Sequence, residues 1–252
     1  MNVQMLGIIK GGTGKSTIAV NMGSLYPYLN KRTLMIDCDP QGNTSSNLRV
    51  SGENGSILDI LTGLKTFDEV IIKEKKLHII PSSPELTNAD KLLDKIGKEY
   101  LLKEKLKDIE NEYDEIFIDT PPAASILTIN SMVACNNLII PSQADYFSIQ
   151  GISQIYSCYE SIKKYCKTDI KIAGILITRF NKRTVISNEM VKTIDELAQQ
   201  YGTKVFSSKI RESIVVKEAQ ANKMNLFEYA PKSDVTKDLI EFIKEYRGDL
   251  NG

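Results

Sequence analysis

The sequence predicts an α/β fold: one doubly wound, mostly parallel sheet flanked by helices. Two observations predict it. Short apolar runs of strand length alternate with longer stretches of helical periodicity, and the first run feeds a glycine-rich turn that opens a helix. Alternation of this kind implies right-handed βαβ crossovers. Several runs are apolar nearly throughout, as strands covered on both faces must be.

In chain order, strands are expected at Met5–Ile9, Thr33–Asp37, Leu77–Ile80, Glu115–Asp119, Asn137–Pro141 and Ile172–Ile177. Helices are expected between them at Ser16–Leu29, Ala89–Asn111, Ile126–Cys135, Ile149–Cys166 and Ile186–Tyr201. No Gly/Ser/Pro-rich linker and no internal repeat interrupts the pattern, so residues 1–252 read as one domain. The last segment, Val235–Arg247, places Val235, Leu239, Ile243 and Tyr246 on one face. On the other face Lys237, Lys244 and Arg247 are matched by Asp238, Glu241 and Glu245. A membrane-surface helix carries an excess of basic residues there. This one reads as a helix packed on the sheet.

Composition narrows the function. Lys plus Arg total 32 and Asp plus Glu total 32, so any nucleic-acid surface must be a local patch. Cys38, Cys135, Cys158 and Cys166 form no C-x-x-C pair and read as small buried hydrophobes in a reduced compartment. His78 is the single histidine, which argues against a histidine-dependent hydrolase or a histidine-rich metal site. No apolar run reaches the ~18 residues of a spanning helix. Met1 leads directly into a strand without a signal segment. A cytoplasmic protein is expected.

The chemistry concentrates in Lys10-Gly11-Gly12-Thr13-Gly14-Lys15-Ser16-Thr17. Glycines let successive backbone N–H groups converge on an anion, and the following helix adds its dipole. In such a P-loop Lys15 reaches the β- and γ-phosphates and the Ser16 hydroxyl coordinates Mg²⁺. The strict pattern needs glycine where this chain has Ile9, so the match is to the deviant Walker A form, with a second lysine, Lys10, ahead of the glycines. Two acidic strand ends complete the set. Asp119, in Phe117-Ile118-Asp119-Thr120-Pro121-Pro122, suits outer-sphere Mg²⁺ binding. Asp37 and Asp39 flank Cys38, one to support the metal and one to position water. A turn-capping aspartate is the other reading of Asp37.

These motifs resemble the deviant-Walker ATPases and, within them, the ParA/Soj DNA-partition proteins. The likeness also rests on Asp39-Pro40-Gln41-Gly42-Asn43, on Pro141 to Gly151 (similar to P-x-Q-x-E-Y-F-x-x-x-G), and on Ile210-Arg211-Glu212-Ser213 with Glu218-Ala219. It implies a weak Mg-dependent ATPase that forms an ATP-sandwich homodimer. Lys10 would then act in trans on the partner's nucleotide, Asp39 would serve hydrolysis, Asp37 would lie near the metal, and Thr178 and Arg179 would contact the adenine. It further implies nonspecific binding to double-stranded DNA, release stimulated by a ParB-type centromere-binding partner, and a nucleoid-associated location. Two departures stand out. Ile8 occupies a position that is usually polar in relatives, and a first strand near residue 3 leaves no room for an N-terminal helix-turn-helix.

For DNA, the basic candidates are Lys182 and Arg183, then Lys209, Arg211 and Lys217, with Lys223 further on. Arg183 and Arg211 lie close to where ParA relatives carry DNA-binding arginines. No aromatic residues interleave with these positions, so backbone phosphate contact is expected rather than base stacking. A MinD-like membrane-cycling ATPase and a nucleotide-locked scaffold that does not bind DNA are the alternatives. The first would need a basic amphipathic C-terminus.

Overall fold

The structure, a computed structural model, describes residues 1–74 and 77–251. Eight strands form one sheet: β1 (Asn2–Leu6), β2 (Thr33–Asp37), β3 (Ile72–Glu74), β4 (Leu77–Ile80), β5 (Glu115–Asp119), β6 (Asn137–Gln143), β7 (Lys171–Phe180) and β8 (Val205–Arg211). Their order across the sheet is β3-β4-β2-β5-β1-β6-β7-β8. Every pairing is parallel except that of β3 with β4. The predicted fold class is borne out. From β1 the chain crosses to β2 on one side, and after β5 it crosses to β6 on the other. Strand ends at such a switch point form the crevice that open α/β sheets use for ligands.

The first helices are α1 (Lys15–Leu25), α2 (Asn43–Asn47), α3 (Ile57–Thr62), α4 (Phe67–Val70), α5 (Ala89–Leu92) and α6 (Leu101–Leu106). They are followed by α7 (Ile126–Ala134), α8 (Tyr146–Tyr165), α9 (Val185–Gln200), α10 (Ile214–Ala221), α11 (Leu226–Tyr229) and α12 (Asp234–Asn251). Alternate residues of the central strands divide between two cores. Val3, Met5, Leu34, Ile36, Ile116 and Ile118 belong to one, together with Leu127 of α7 and Ile152 of α8. Leu6, Met35 and Phe117 belong to the other, with Ile18 and Met22 of α1. Period-two alternation with both faces apolar is what a fully covered sheet requires.

On that second face α12 buries Val235, Leu239, Phe242, Ile243 and Tyr246. Phe242 meets Phe206 of β8 edge-on with ring centroids 5.1 Å apart. The Tyr246 hydroxyl is satisfied by Gln4 of β1. Each such side chain contributes ~1.5–3 kcal/mol of burial. The apolar face of α12 is therefore taken up by the sheet and offers nothing to a membrane. No helix among the described residues is long and apolar enough to cross one.

Several boundaries differ from expectation. β1 ends at Leu6, not Ile9, because Ile8 is buried as loop: a Cβ on Gly151 of α8 would lie 3.2 Å from it. The first helix stops at Leu25, and Pro27 sits in the single 3₁₀ turn that follows. The expected helix Ala89–Asn111 breaks into α5, α6 and short turns, with Gly97 at φ 75° between them. Expectation also missed β3 and β8, so Lys209 and Arg211 lie within a strand rather than after one.

Candidate active site

Between β1 and α1 the chain wraps around a cavity of about 610 Å³. Gly12 and Gly14 have φ of 76° and 90° there, a conformation that a Cβ would strain. Two strands on the same side hold the loop. Gln143, at the end of β6, donates its Nε2 to the Gly12 carbonyl at 2.6 Å. Thr178 of β7 donates its hydroxyl to the Thr13 carbonyl at 2.7 Å. The turn is thus braced before any ligand arrives, which leaves its N–H groups to converge on an anion. Thr178 lines the cavity, but its hydroxyl serves the loop. Arg179 lies on the same wall, in the left-handed region at φ 50°, and its guanidinium pairs with Glu212 at 2.9 Å.

Lys15 is buried, and its ammonium donates to the Lys10 carbonyl at 3.2 Å. Desolvation lowers its pKa, against the pull of Asp119 and Asp39. Sheet register places Asp37 beside Asp119 as direct partners. Burial pushes both carboxyls up, and in Asp37 the neighbouring Asp119 charge adds to it. The Thr44 hydroxyl donates to Asp119 at 2.8 Å, and the Ser16 hydroxyl beside it tempers that rise. The Oδ1 of Asp119 is buried without a hydrogen-bond partner.

That orphan oxygen is the test for a cation. A buried carboxylate oxygen with no donor needs a proton, a water or a metal. Ser16, Asp37 and Asp119 meet here, which fits Mg²⁺ held mainly by phosphates and waters with a carboxylate behind them. Asp39 lines the cavity and is 5% exposed. Its Oδ1 accepts from the Gln41 N–H at 3.0 Å, closing the turn that carries it.

The remaining predicted residues separate. Lys10 projects to the start of α8, where Asp145 takes its ammonium at 2.7 Å and the Ser148 hydroxyl lies 2.9 Å away. Phe180 and Arg211 are register partners, so the turn carrying Lys182 and Arg183 does adjoin β8. Lys182 and Arg183 are exposed. Arg211 is not a free charge as expected from sequence. Asp238 takes its Nε and Nη2 at 2.6 and 2.7 Å, and Asp234 takes its Nη1 at 3.2 Å. Lys209 is half-buried over the Phe180 ring, and Lys217 lines the nucleotide-side cavity.

Comparison with known proteins agrees with this geometry. A family model described as an AAA domain matches residues 1–172. The chain is 32% identical to the sporulation initiation inhibitor protein Soj of Bacillus subtilis, over 94% of each chain. This chain belongs to the ParA/Soj family of P-loop ATPases. Its fold is similar to that of Cyanothece apo McdA, with a TM-score of 0.89 and 25% identity over 99% of both chains. It is also similar to a Borrelia burgdorferi plasmid partition protein bound to AMPPNP, with a TM-score of 0.77 and 26% identity over 97% and 99% of the two chains.

The structure adds residues that the motifs alone did not single out. Thr44 and Ser45, directly after the Asp39-to-Asn43 stretch, hold Asp119 and Asp37. Gln220 of α10 reaches the Thr17 hydroxyl at 2.9 Å, bridging the far wall of the cavity to α1. The signal for Thr44 and Ser45 was their place next to an acidic strand end. Gln220 lies 203 residues from its partner and gave none.

Proposed function

We propose that this partition ATPase binds Mg-ATP as a homodimer, holds double-stranded DNA without sequence preference, and lets go when a ParB-type partner stimulates hydrolysis. The observation that carries the reading is the position of Lys10. Lys15 already serves the chain's own phosphate cradle, whereas the Lys10 ammonium rests at the exposed start of α8 beside Tyr146 and Phe147, 64% and 68% exposed. A second cation at the rim, next to exposed aromatics, suits a phosphate brought by another copy.

Within each protomer the N–H groups of Gly11 to Thr17 and the Lys15 ammonium bind and orient the phosphates. Ser16, Asp37 and Asp119 would hold Mg²⁺, which would supply positive charge to the phosphoryl oxygens. Asp39 holds the attacking water and takes its proton. Thr178 and Arg179 form the wall on the base side. Lys10 supplies its charge to the partner's site. The DNA surface centres on Lys182 and Arg183, with Lys209 and Lys217 near it and Arg211 fixing the strand that carries them. The protein is cytoplasmic and, in the ATP form, nucleoid-associated.

The test is DNA binding by the purified protein with ADP, ATP and a non-hydrolysable analogue over a salt series. Retention of plasmid DNA is expected only with ATP or the analogue. Each phosphate contact adds ~0.9 to the slope of log affinity against log salt, so Arg183→Ala lowers that slope by about that amount for each phosphate the dimer no longer neutralises. An ATP form that ignores DNA at low salt would refute this and leave a nucleotide-locked scaffold.

A further inference from the structure

Behind the two strand-end aspartates runs a series of hydroxyls that neither the cradle nor the cation site uses. Asp37 Oδ2 takes two hydrogen bonds from one residue, the Ser45 N–H at 2.8 Å and its hydroxyl at 2.7 Å. The Oδ1 of Asp37 takes the Asp39 N–H at 3.1 Å. The next link comes from just past β4, where the Ser82 N–H donates to Ser45 Oγ at 2.9 Å. The Ser82 hydroxyl in turn donates to the Asp39 carbonyl. That carbonyl also takes the Gly42 N–H at 2.9 Å.

Proton counting fixes the direction of the series. A serine hydroxyl has one proton to give and lone pairs to receive. Ser45 gives its proton to Asp37 and so faces the Ser82 N–H as an acceptor, while the Ser82 hydroxyl gives its own proton to the Asp39 carbonyl. All four residues are buried, Asp37 at 0%, Asp39 and Ser45 at 5% and Ser82 at 6% exposure. Water therefore does not compete for these bonds. Nor is Ser82 free to withdraw. A Cβ at Gly52 would stand 2.4 Å from the Ser82 carbonyl, so the backbone there is pressed from behind.

The segment from Cys38 to Gly42 lies between β2 and α2, and past the Cys38 N–H, which donates to the Asp119 carbonyl at 2.9 Å, it has no ladder partner. Its conformation depends on these side-chain bonds. We propose that Ser45 and Ser82 are positioning residues for hydrolysis, fixing the Asp39 turn against Asp37 so that the Asp39 carboxylate meets the attacking water. The inference rests on Asp39 being the residue that serves the water. Neither serine lines the cavity, and Ser82 does not bond Asp37, so the effect of Ser82 falls on turnover and not on binding.

The experiment compares wild type with Ser45→Ala, Ser82→Ala, the double variant and Asp39→Asn. It measures kcat and KM for Mg-ATP, the thermal midpoint, and amide exchange over residues 38–45. Misplacement by about 1 Å costs on the order of 10²-fold in rate, so Ser82→Ala should lose ~10- to 100-fold in kcat while KM stays within about twofold. Amide exchange over 38–45 should rise. Because both serines brace one turn, the loss in the double variant should fall short of the product of the two single losses. Wild-type kcat in Ser82→Ala overturns the proposal. So does a fall in kcat accompanied by equal loss of Mg-ATP affinity and a lowered thermal midpoint, which marks a structural role. Failure of the reading beneath it would look different, because Asp39→Asn would then hydrolyse ATP as fast as wild type.

Discussion

Replacing Lys15 by methionine keeps most of the length of the side chain and removes its charge. The residue is 6% exposed, and desolvation outweighs the pull of Asp119 and Asp39, holding its pKa below 10.5. The folded protein therefore binds the Lys15 proton less tightly than the unfolded chain does. Below the folded pKa, neutral pH included, the fold carries the full cost of that charge, which is relieved as pH rises through the folded value toward 10.5. Methionine carries no such cost and packs with an adaptable stem. It also leaves Asp119 and Asp39 without their cation, so the gain should sit at the low end of ~0.5–2 kcal/mol. For a chain of this size that raises the midpoint by ~1–2 °C. Binding moves the other way. Removing one partner of a buried charge pair costs ~2–5 kcal/mol, or ~30- to 5,000-fold in Mg-ATP affinity. Titration calorimetry with Mg-ATP, and thermal unfolding of the nucleotide-free protein between neutral and alkaline pH, check the two halves. An affinity within about threefold of wild type would sink the cradle assignment. A midpoint lowered by more than about 5 °C would sink the charge argument.

Asp39→Asn should bind Mg-ATP and self-associate as wild type does while hydrolysing ~10²–10⁴-fold more slowly, read as phosphate release. Lys10→Ala should bind nucleotide yet show no ATP-dependent dimer by light scattering. Asp145→Asn keeps a good N-cap for α8, since Asp145 Oδ1 also takes the Ser148 N–H at 2.8 Å, but releases the Lys10 ammonium. Such a rim pair is worth ~0.2–1 kcal/mol and the dimer releases two of them, so ATP-dependent dimerisation should tighten by ~2- to 30-fold in sedimentation, and weaker dimerisation would contradict the trans role. Asp119→Asn addresses pH. A carboxyl raised above 3.8 in the fold destabilises the nucleotide-free protein once pH exceeds that value, increasingly up to the raised pKa, and Mg²⁺ binding must first remove its proton. Wild type should therefore lose Mg²⁺-dependent nucleotide affinity as pH falls through that window, and Asp119→Asn should show a shallower slope and a smaller Mg²⁺ effect in the same titration, the remainder coming from Asp37.

How far the sequence can be read follows from the range of the interactions. The cradle was legible because glycine spacing and the helix start are local. The packed face of α12 was legible because its period is local too. The pairing of Asp37 with Asp119 needed the strand order, which sets β2 against β5 although β2 ends at Asp37 and β5 begins only at Glu115. β8 escaped because Val205–Arg211 carries polar Ser207, Ser208 and Lys209 and shows no apolar run. Ile8 misled in the opposite sense, being apolar for burial under α8 rather than for a ladder.

Charge shows the same limit more sharply. Arg211 looked free because its acids, Asp234 and Asp238, stand 23 and 27 residues away on α12. Lys10 looked free because Asp145 stands 135 residues away. In both cases the motif names the chemistry of a side chain, and the topology decides where its charge goes. For Arg211 the partners are two carboxylates on a helix whose apolar face is sealed in the core, so the pairing holds the end of β8. For Lys10 the partners are the Ser148 hydroxyl and one half-exposed carboxylate at the rim, Asp145, which also caps α8. Breaking that pair costs little and disturbs no core packing. Of the two basic residues, Lys10 is the one the fold leaves able to change partners.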